Sequence, residues 1–242
     1  MDRKSELKGK LNNNINYKPG ELKLENEKSD RMQRALKVID LLEQQYPDAK
    51  VALRYSNPLE LLVATMLSAQ CTDEKVNEVT ESLFKKYRKA EDYAKANLVT
   101  LEKDIRPTGF YQKKARRIKK ACQLLIDKFG SKVPMTMEEL TSLPGVARKT
   151  ANIVLSNAYG VIEGIAIDTH VYRLVQRLEL TKYKTTDRME KDLMEIVPRE
   201  KWTRFTDLLI FHGRRVCSAK KPNCGKCVLN NICPSAFRFS SD

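Results

Sequence analysis

Hydrophobic residues recur at helical spacing along most of this 242-residue chain, and short polar segments with proline or glycine separate the repeats. The clearest example is the set Ala35, Val38, Ile39 and Leu42, whose steps of three and four residues predict an amphipathic helix over residues 31–46. The same periodicity predicts helices along the rest of the chain. The predicted fold class is therefore all-α.

Two of the predicted helices have contrasting surfaces. Residues 59–69 are apolar nearly all round, as expected of a helix at the centre of a bundle. Residues 112–129 combine an apolar stripe with a basic face. This predicted basic face consists of Lys113, Lys114, Arg116, Arg117, Lys119 and Lys120. The short apolar segment 164–167 fits either a strand or a buried connection.

The N-terminal residues differ from the rest of the chain. Residues 1–30 are rich in charge, poor in aromatic residues and contain three consecutive asparagines, which predicts a disordered tail. Basic and acidic residues nearly cancel within this tail, so the positive charge of the chain belongs to its folded part. We therefore expect a basic surface with a defined shape.

The chain is strongly basic, with 45 lysines and arginines against 31 acidic residues and a formal net charge of +14. Such a field attracts polyanions, which makes nucleic acid the leading predicted partner and a membrane surface the second. No apolar run has the length of a membrane span, and the N-terminus lacks the apolar core of a signal peptide. We therefore expect an intracellular, reducing location: the cytoplasm or nucleoid, or the nucleus or mitochondrion of a eukaryote.

Residues 143–151 predict a tight turn between a short helix and a second helix that ends before Gly160. The turn leaves the backbone N–H groups of Gly145, Val146 and Ala147 at a helix N-terminus. The helix dipole there favours an anion such as a nucleic-acid phosphate. On spacing alone, an ordinary helix corner closed by Pro-Gly explains the segment equally well.

Lys149 and Asp168 are candidates for catalytic chemistry. Lys149 lies near the N-terminus of the second helix, where the dipole disfavours a positive ammonium and favours a nucleophilic amine. Lysine amines of this kind form Schiff bases with carbonyl-like carbons. Asp168 can cap the next helix, and a carboxylate facing the amine would accept a proton or stabilise a cationic sugar. A purely structural role, as a solvated charge and as a helix cap, remains open for both residues.

Four of the six cysteines lie close together near the C-terminus: Cys217, Cys224, Cys227 and Cys233. In a reducing compartment this crowding indicates one shared metal centre rather than disulfides. The spacing is compatible with tetrahedral zinc and with an iron–sulfur cluster. Four thiolates leave no open coordination position, which favours a structural centre. The loop between the first two cysteines carries Lys220 and Lys221, which we expect to contact phosphate.

The turn at residues 143–151, the sequence around Asp168 and the spacing of the cysteines together resemble the endonuclease III family of helix-hairpin-helix DNA glycosylases. The resemblance covers residues 31–233 and includes the motifs in the order that the family has. It is specific, because the hairpin, the aspartate and the cysteine spacing of six, two and five residues occur together.

The resemblance implies two helical domains with a DNA-binding cleft between them. Residues 51–162 would form a six-helix barrel that contains the helix-hairpin-helix motif. Residues 31–50 and 163–242 would form an iron–sulfur cluster domain, in which the four cysteines hold a 4Fe-4S cluster.

The resemblance also implies roles for individual residues: Lys149 as the nucleophile, Asp168 as its partner, Gln70 as the residue that fills the space left by an extruded base, and Phe110 as an intercalating wedge. The implied enzyme is a monomeric, bifunctional DNA glycosylase and abasic-site lyase. It would remove oxidised pyrimidines from double-stranded DNA and cut abasic sites by β-elimination through a lysine Schiff base. The alternatives are a monofunctional mismatch glycosylase, which would lack the lysine, and a non-catalytic iron–sulfur redox module that binds DNA.

Overall fold

The computed structural model describes the backbone of residues 19–239 and the side chains of residues 25–239, and this part of the chain is helical without any β-strand. The helices are α1 (Pro19–Gln45), α2 (Pro58–Leu67), α3 (Asp73–Lys86), α4 (Ala90–Lys95), α5 (Leu98–Asp104), α6 (Tyr111–Phe129), α7 (Met137–Ser142), α8 (Arg148–Tyr159), α9 (Thr169–Arg177), α10 (Thr186–Met194) and α11 (Trp202–Arg215). Short 3-10 turns occur at Arg106–Thr108, Arg199–Lys201 and Cys224–Lys226. Across these described residues, no helix combines the length and the apolar character that crossing a membrane requires.

The helices form two hydrophobic cores. The first is built by α2 to α8 and contains buried residues between positions 53 and 155. The second combines residues 35–49 with residues 165–229, and in it α11 packs against both α1 and α9. The two cores support the proposed division into a domain of residues 51–162 and a second domain formed by the flanking parts of the chain.

The central helix α2 forms for the reasons that its sequence suggests. The Oδ1 atom of Asn57 accepts a hydrogen bond from the backbone N–H of Glu60 at 3.0 Å, and Pro58 occupies the first helical position, where its missing N–H costs nothing. Every residue from Leu61 to Leu67 is buried. As predicted from its apolar surface, α2 lies inside the first core.

The helix α1 corrects the predicted N-terminal tail. Because α1 begins at Pro19, the prediction of disorder is wrong for residues 19–30, and the remainder of that prediction, residues 1–18, lies outside the described residues. Two ion pairs, each with an N–O distance of 2.7 Å, tie this end of α1 to the region of α10: Lys28–Glu195 and Arg31–Asp192. Composition favoured disorder because the partners of these charges lie more than a hundred residues away.

The predicted basic face of α6 is wrong at two positions. Lys114 is buried, and its Nζ atom donates hydrogen bonds to the backbone oxygens of Leu67 and Thr108, each at 2.7 Å. Lys119 is half-buried and donates to two backbone oxygens at the end of α4. Backbone carbonyl groups at helix ends can accept hydrogen bonds from a lysine ammonium inside a protein, so a lysine in a basic segment does not have to face water. The other four residues of the predicted face are exposed.

The segment 164–167 is a buried connection and not a strand. Glycine is required at its start, because a Cβ atom on Gly164 would lie 2.0 Å from the Oε1 atom of Glu190. The buried Glu190 side chain accepts from the Nε atom of Arg148 at 2.7 Å and from the Nδ2 atom of Asn152 at 3.0 Å. Through these contacts α10 of the second core fixes the first turn of α8 in the first core.

Candidate active site

An open cleft lies between the two cores, and residues of both line it. From the first core come Gln70, which follows α2, and Lys149 in the first turn of α8. From the second core come Asp168 at the start of α9 and Asp207 in α11. The structure therefore brings three of the predicted site residues, Gln70, Lys149 and Asp168, to one cleft.

The turn between α7 and α8 places Lys149. Gly145 has φ +89°, and a Cβ atom there would lie 2.8 Å from a side-chain carbon of Arg117, so only glycine fits. The N–H of Val146 donates to the backbone oxygen of Leu143 at 3.0 Å, so it is already used within the turn. Of the three N–H groups predicted to bind an anion, those of Gly145 and Ala147 remain. Ala147 precedes α8 without a side-chain cap, so that the first amides of the helix have no side-chain acceptor from this residue.

Lys149 and Asp168 are both oriented by their helices. The Lys149 side chain is exposed in the cleft, and its amine makes no hydrogen bond to any residue that the structure describes. The Oδ1 atom of Asp168 accepts from the backbone N–H of Val171 at 2.7 Å and caps α9. Within the described part of the chain, the Oδ2 atom of Asp168 accepts no hydrogen bond, so one carboxylate can cap a helix and still present an oxygen to the cleft.

Gln70 and Phe110 share an unusual backbone conformation. Both have positive φ, +54° for Gln70 and +49° for Phe110, although neither is glycine. Phe110 follows Gly109, which has φ +70°, and its side chain is 62% exposed. A left-handed conformation at a residue with a side chain costs free energy and is concentrated at functional sites. The two residues predicted to enter the DNA thus lie on short loops with strained backbone.

The four cysteines line one apolar pocket and form no disulfide with one another. Among the residues with described positions, no three His, Cys, Asp or Glu side chains are arranged to hold a single metal ion. A single zinc ion needs four ligands within about 2.3 Å of one point, whereas a cluster is held by thiolates spread around a larger body. All four thiols line one pocket, as the ligands of a single shared metal centre must.

Hydrogen-bond donors approach two of these sulfurs. The Nη1 atom of Arg177 lies 3.1 Å from the Sγ atom of Cys217, and the Nε2 atom of His212 lies 3.2 Å from that of Cys227. Burial lowers the pKa of His212 to about 4, so the ring is neutral. Its Nδ1 atom lies 3.2 Å from the Tyr46 hydroxyl, and the tautomer in which that hydroxyl donates to Nδ1 directs the Nε2–H at the sulfur. Burial raises the pKa of the Cys227 thiol to about 11. Coordination to a cationic metal centre would lower this pKa and so deprotonate the thiol.

The loop between the first two cysteines exposes Lys220 and Lys221. The guanidinium of Arg177 donates to the backbone oxygens of Ser218 and Ala219, each at 2.8 Å, and the Ser218 hydroxyl donates to the Lys221 backbone oxygen at 2.6 Å. These contacts fix the backbone of the loop while the two ammonium groups remain in solvent.

Sequence reasoning missed Asp207, which lines the same cleft as Lys149. Burial raises the pKa of Asp207 to about 7, against the opposing effect of the nearby positive charge of Arg204. The available signal was a lone carboxylate directly before the apolar run 208–211 of α11. His170 also lines the cleft, and burial lowers its pKa.

Comparisons with known proteins agree with this geometry. Residues 63–199 match the HhH-GPD superfamily of base excision DNA repair proteins, and residues 217–233 match the iron–sulfur binding domain of endonuclease III. Endonuclease III of Synechocystis sp. is 49% identical over 86% of this chain and 95% of its own length. A non-covalent endonuclease III–DNA complex and a trapped endonuclease III–DNA covalent intermediate each have a TM-score of 0.82 at 45% identity, covering 86% of this chain and 97% of theirs. The predicted resemblance, the helical fold and the iron–sulfur cofactor are thereby confirmed.

Proposed function

We propose that this chain, which belongs to the endonuclease III family of base excision DNA repair proteins, removes oxidised pyrimidines from duplex DNA and then cleaves the strand at the abasic site. One observation carries the proposal for the reacting groups: Lys149 and Asp168, which different cores supply, line one cleft. An amine and a carboxylate that line one open cleft are the groups that a Schiff-base glycosylase needs.

The reaction begins when the damaged nucleotide leaves the base stack and enters the cleft, an extrusion that is easiest for a damaged base. The Lys149 amine attacks the anomeric carbon as the base departs, and the Asp168 carboxylate accepts a proton from the amine and stabilises the cationic sugar. Ring opening gives a Schiff base. Loss of a proton from the adjacent sugar carbon then expels the 3′ phosphate by β-elimination. A solved endonuclease III of similar fold was trapped as a covalent intermediate with DNA, the class of adduct that Lys149 would form.

Contacts with the DNA come from the loops that carry Gln70 and Phe110, from the turn before α8 and from the loop between Cys217 and Cys224. Gln70 and Phe110 enter the stack and occupy the space that the extruded nucleotide leaves. The amides of Gly145 and Ala147, together with the N-terminal dipole of α8, bind a phosphate of the backbone. Lys220 and Lys221 contact a second stretch of backbone, and the net charge of +14 makes the affinity strongly dependent on salt.

Cys217, Cys224, Cys227 and Cys233 would hold the 4Fe-4S cluster, and this ligation would close the C-terminal loop and so position Lys220 and Lys221. Its thiolate ligands are consistent with the proposed location in a reducing compartment. We also propose that the protein acts as a monomer, since the groups named in the mechanism all belong to one chain.

The experiment that tests the function is borohydride trapping on a duplex with a single oxidised pyrimidine. Borohydride should reduce the Schiff base and join the protein covalently to the DNA, and the Lys149→Ala variant should give no adduct. Lys37→Ala, which removes an exposed lysine on α1, serves as the matched control and should trap like the wild type. Trapping that survives unchanged in Lys149→Ala would refute the assigned nucleophile.

Asp168→Asn tests the partner of the lysine. Asparagine can still accept the hydrogen bond from the Val171 N–H and cap α9, so the fold should persist. The loss of the carboxylate charge should slow base release by about 10² or more. Base release without strand cleavage by the wild type would favour a monofunctional glycosylase, and equal binding of damaged and intact duplex without cleavage would favour a non-catalytic module.

A further inference from the structure

Lys114 is the most deeply buried lysine among the residues with described side chains, with 6% of its surface exposed. It takes part in no ion pair within this part of the chain; instead its ammonium donates to the backbone oxygens of Leu67 and Thr108, each at 2.7 Å. Leu67 is the last residue of α2, so the positive charge lies at the negative end of the α2 dipole. Burial lowers the pKa of Lys114, and the nearby Cys71 acts in the opposite direction.

The two carbonyl groups lie directly before the two loops that carry Gln70 and Phe110: Leu67 ends α2, and Thr108 ends the 3-10 turn 106–108. Gln70 follows Leu67 by three residues, and Phe110 follows Thr108 by two. The backbone N–H of Lys114 also donates to the backbone oxygen of Phe110 at 3.1 Å. A single residue therefore makes two hydrogen bonds to the segment 108–110 and one to the C-terminal end of α2, three residues before Gln70.

From these contacts we propose that Lys114 is a positioning residue that sets the distance between Gln70 and Phe110, so that both enter the duplex together; the proposal rests on the proposed function. Gln70 and Phe110 both have left-handed backbone conformations, which persist only where contacts with neighbouring residues stabilise them. Without the ammonium, the carbonyls of Leu67 and Thr108 lose their common donor and the loops move independently. Extrusion of a nucleotide then fails even though Lys149 and Asp168 are intact.

The test compares two substrates with Lys114→Met, which keeps the length of the side chain and removes its donor. The first substrate is a duplex with one thymine glycol, in which the base stack must be opened. The second is a single-stranded oligonucleotide with one abasic site, in which no base stack has to be opened. Base release from the duplex at saturating protein should fall at least tenfold. Cleavage of the single strand should stay within about twofold of the wild type.

Lys119→Met is the matched control, because Lys119 lies on the same helix and also donates to two backbone oxygens, but at the end of α4 and away from both loops. It should leave the ratio of duplex to single-strand rates unchanged. Fluorescence of a 2-aminopurine beside the lesion gives a second readout. It should rise on binding of wild type and Lys119→Met, and stay low with Lys114→Met.

The proposal is overturned if Lys114→Met retains the wild-type ratio of rates, or if both rates fall in parallel. If Lys114→Met does not fold, Lys114→Arg replaces it: the larger planar guanidinium must push the two carbonyls apart, so the ratio should fall at least threefold, and an unchanged ratio overturns the proposal. A wild-type protein that acts on neither substrate would instead refute the proposed function.

Discussion

Replacing Asp207 with asparagine should stabilise the protein at pH 8 much more than at pH 5. Burial in α11 raises the pKa of Asp207 from 3.8 to about 7, so the folded protein retains a proton that the unfolded chain releases. The free energy of unfolding contributed by this group therefore falls as pH rises from about 4 to about 7, and it is constant above that range. Asparagine has nearly the same size and no charge, so the variant lacks this dependence of the free energy of unfolding on pH.

The size of the effect follows from the same shift. The two pH units between pH 5 and pH 7 correspond to about 2.7 kcal/mol at 1.36 kcal/mol per unit. Because Asp207 is half-buried and lines an open cleft, water screens part of this value. We expect the advantage of Asp207→Asn over the wild type to grow by about 1–3 kcal/mol between pH 5 and pH 8.

The assay is urea unfolding of the cluster-loaded protein at both pH values, with the difference between variant and wild type as the readout. Taking the difference cancels the titration of all groups that the two proteins share. Glu200→Gln is the control, because Glu200 is exposed and stays in water in both states. The assignment of a protonated Asp207 is refuted if the free energy of unfolding of Asp207→Asn, relative to the wild type, is no higher at pH 8 than at pH 5.

Three further substitutions test other parts of the structure. Gly164→Ala should lower the free energy of unfolding by about 3 kcal/mol in urea titrations, because the new Cβ atom must displace the buried Glu190 carboxylate from its partners. Phe110→Ala should leave stability within about 0.5 kcal/mol, since the ring is exposed, while slowing base release from duplex DNA in single-turnover assays. Cys227→Ser should remove the visible absorbance of the iron–sulfur cluster and make the C-terminal loop sensitive to protease.

Controls for these substitutions lie in the same chain. Gly225→Ala should cost less than about 0.5 kcal/mol, because a Cβ atom there meets nothing closer than 3.9 Å; an equal loss in both glycine variants would contradict the clash with Glu190. Cys122→Ala should keep the visible absorbance, since Cys122 is buried in the first core and does not line the cluster cavity. Normal base release by Phe110→Ala would exclude the phenyl ring as a wedge.

Local sequence signals were sufficient for several elements and for part of the site. Asn57 and Pro58 mark the start of α2, and Gly160 ends α8 with φ +67°, because caps act through residues only a few positions away. Family resemblance supplied Lys149 and Asp168 as a pair, and the structure brings them to one cleft.

The errors arose where a side chain meets a distant part of the chain. Lys114 was predicted to face away from the core because its neighbours are basic, but its acceptor at Leu67 lies 47 residues away. Asp207 was missed because nothing near it in sequence indicates that α11 borders the cleft. Both depend on packing between elements, which hydrophobic periodicity does not encode.

The ion pair between Arg31 and Asp192 joins residues 161 positions apart, and the contact of Tyr46 with His212 spans 166 positions. A ribosome therefore completes the whole first core, residues 53–155, while α1 still lacks every partner from α9 to α11. Of the helices that the structure describes, α1 is therefore synthesised first and is among the last to be buried. Because the cysteines follow α11 in the chain, the ligands of the iron–sulfur cluster are synthesised only after every helix of the second core.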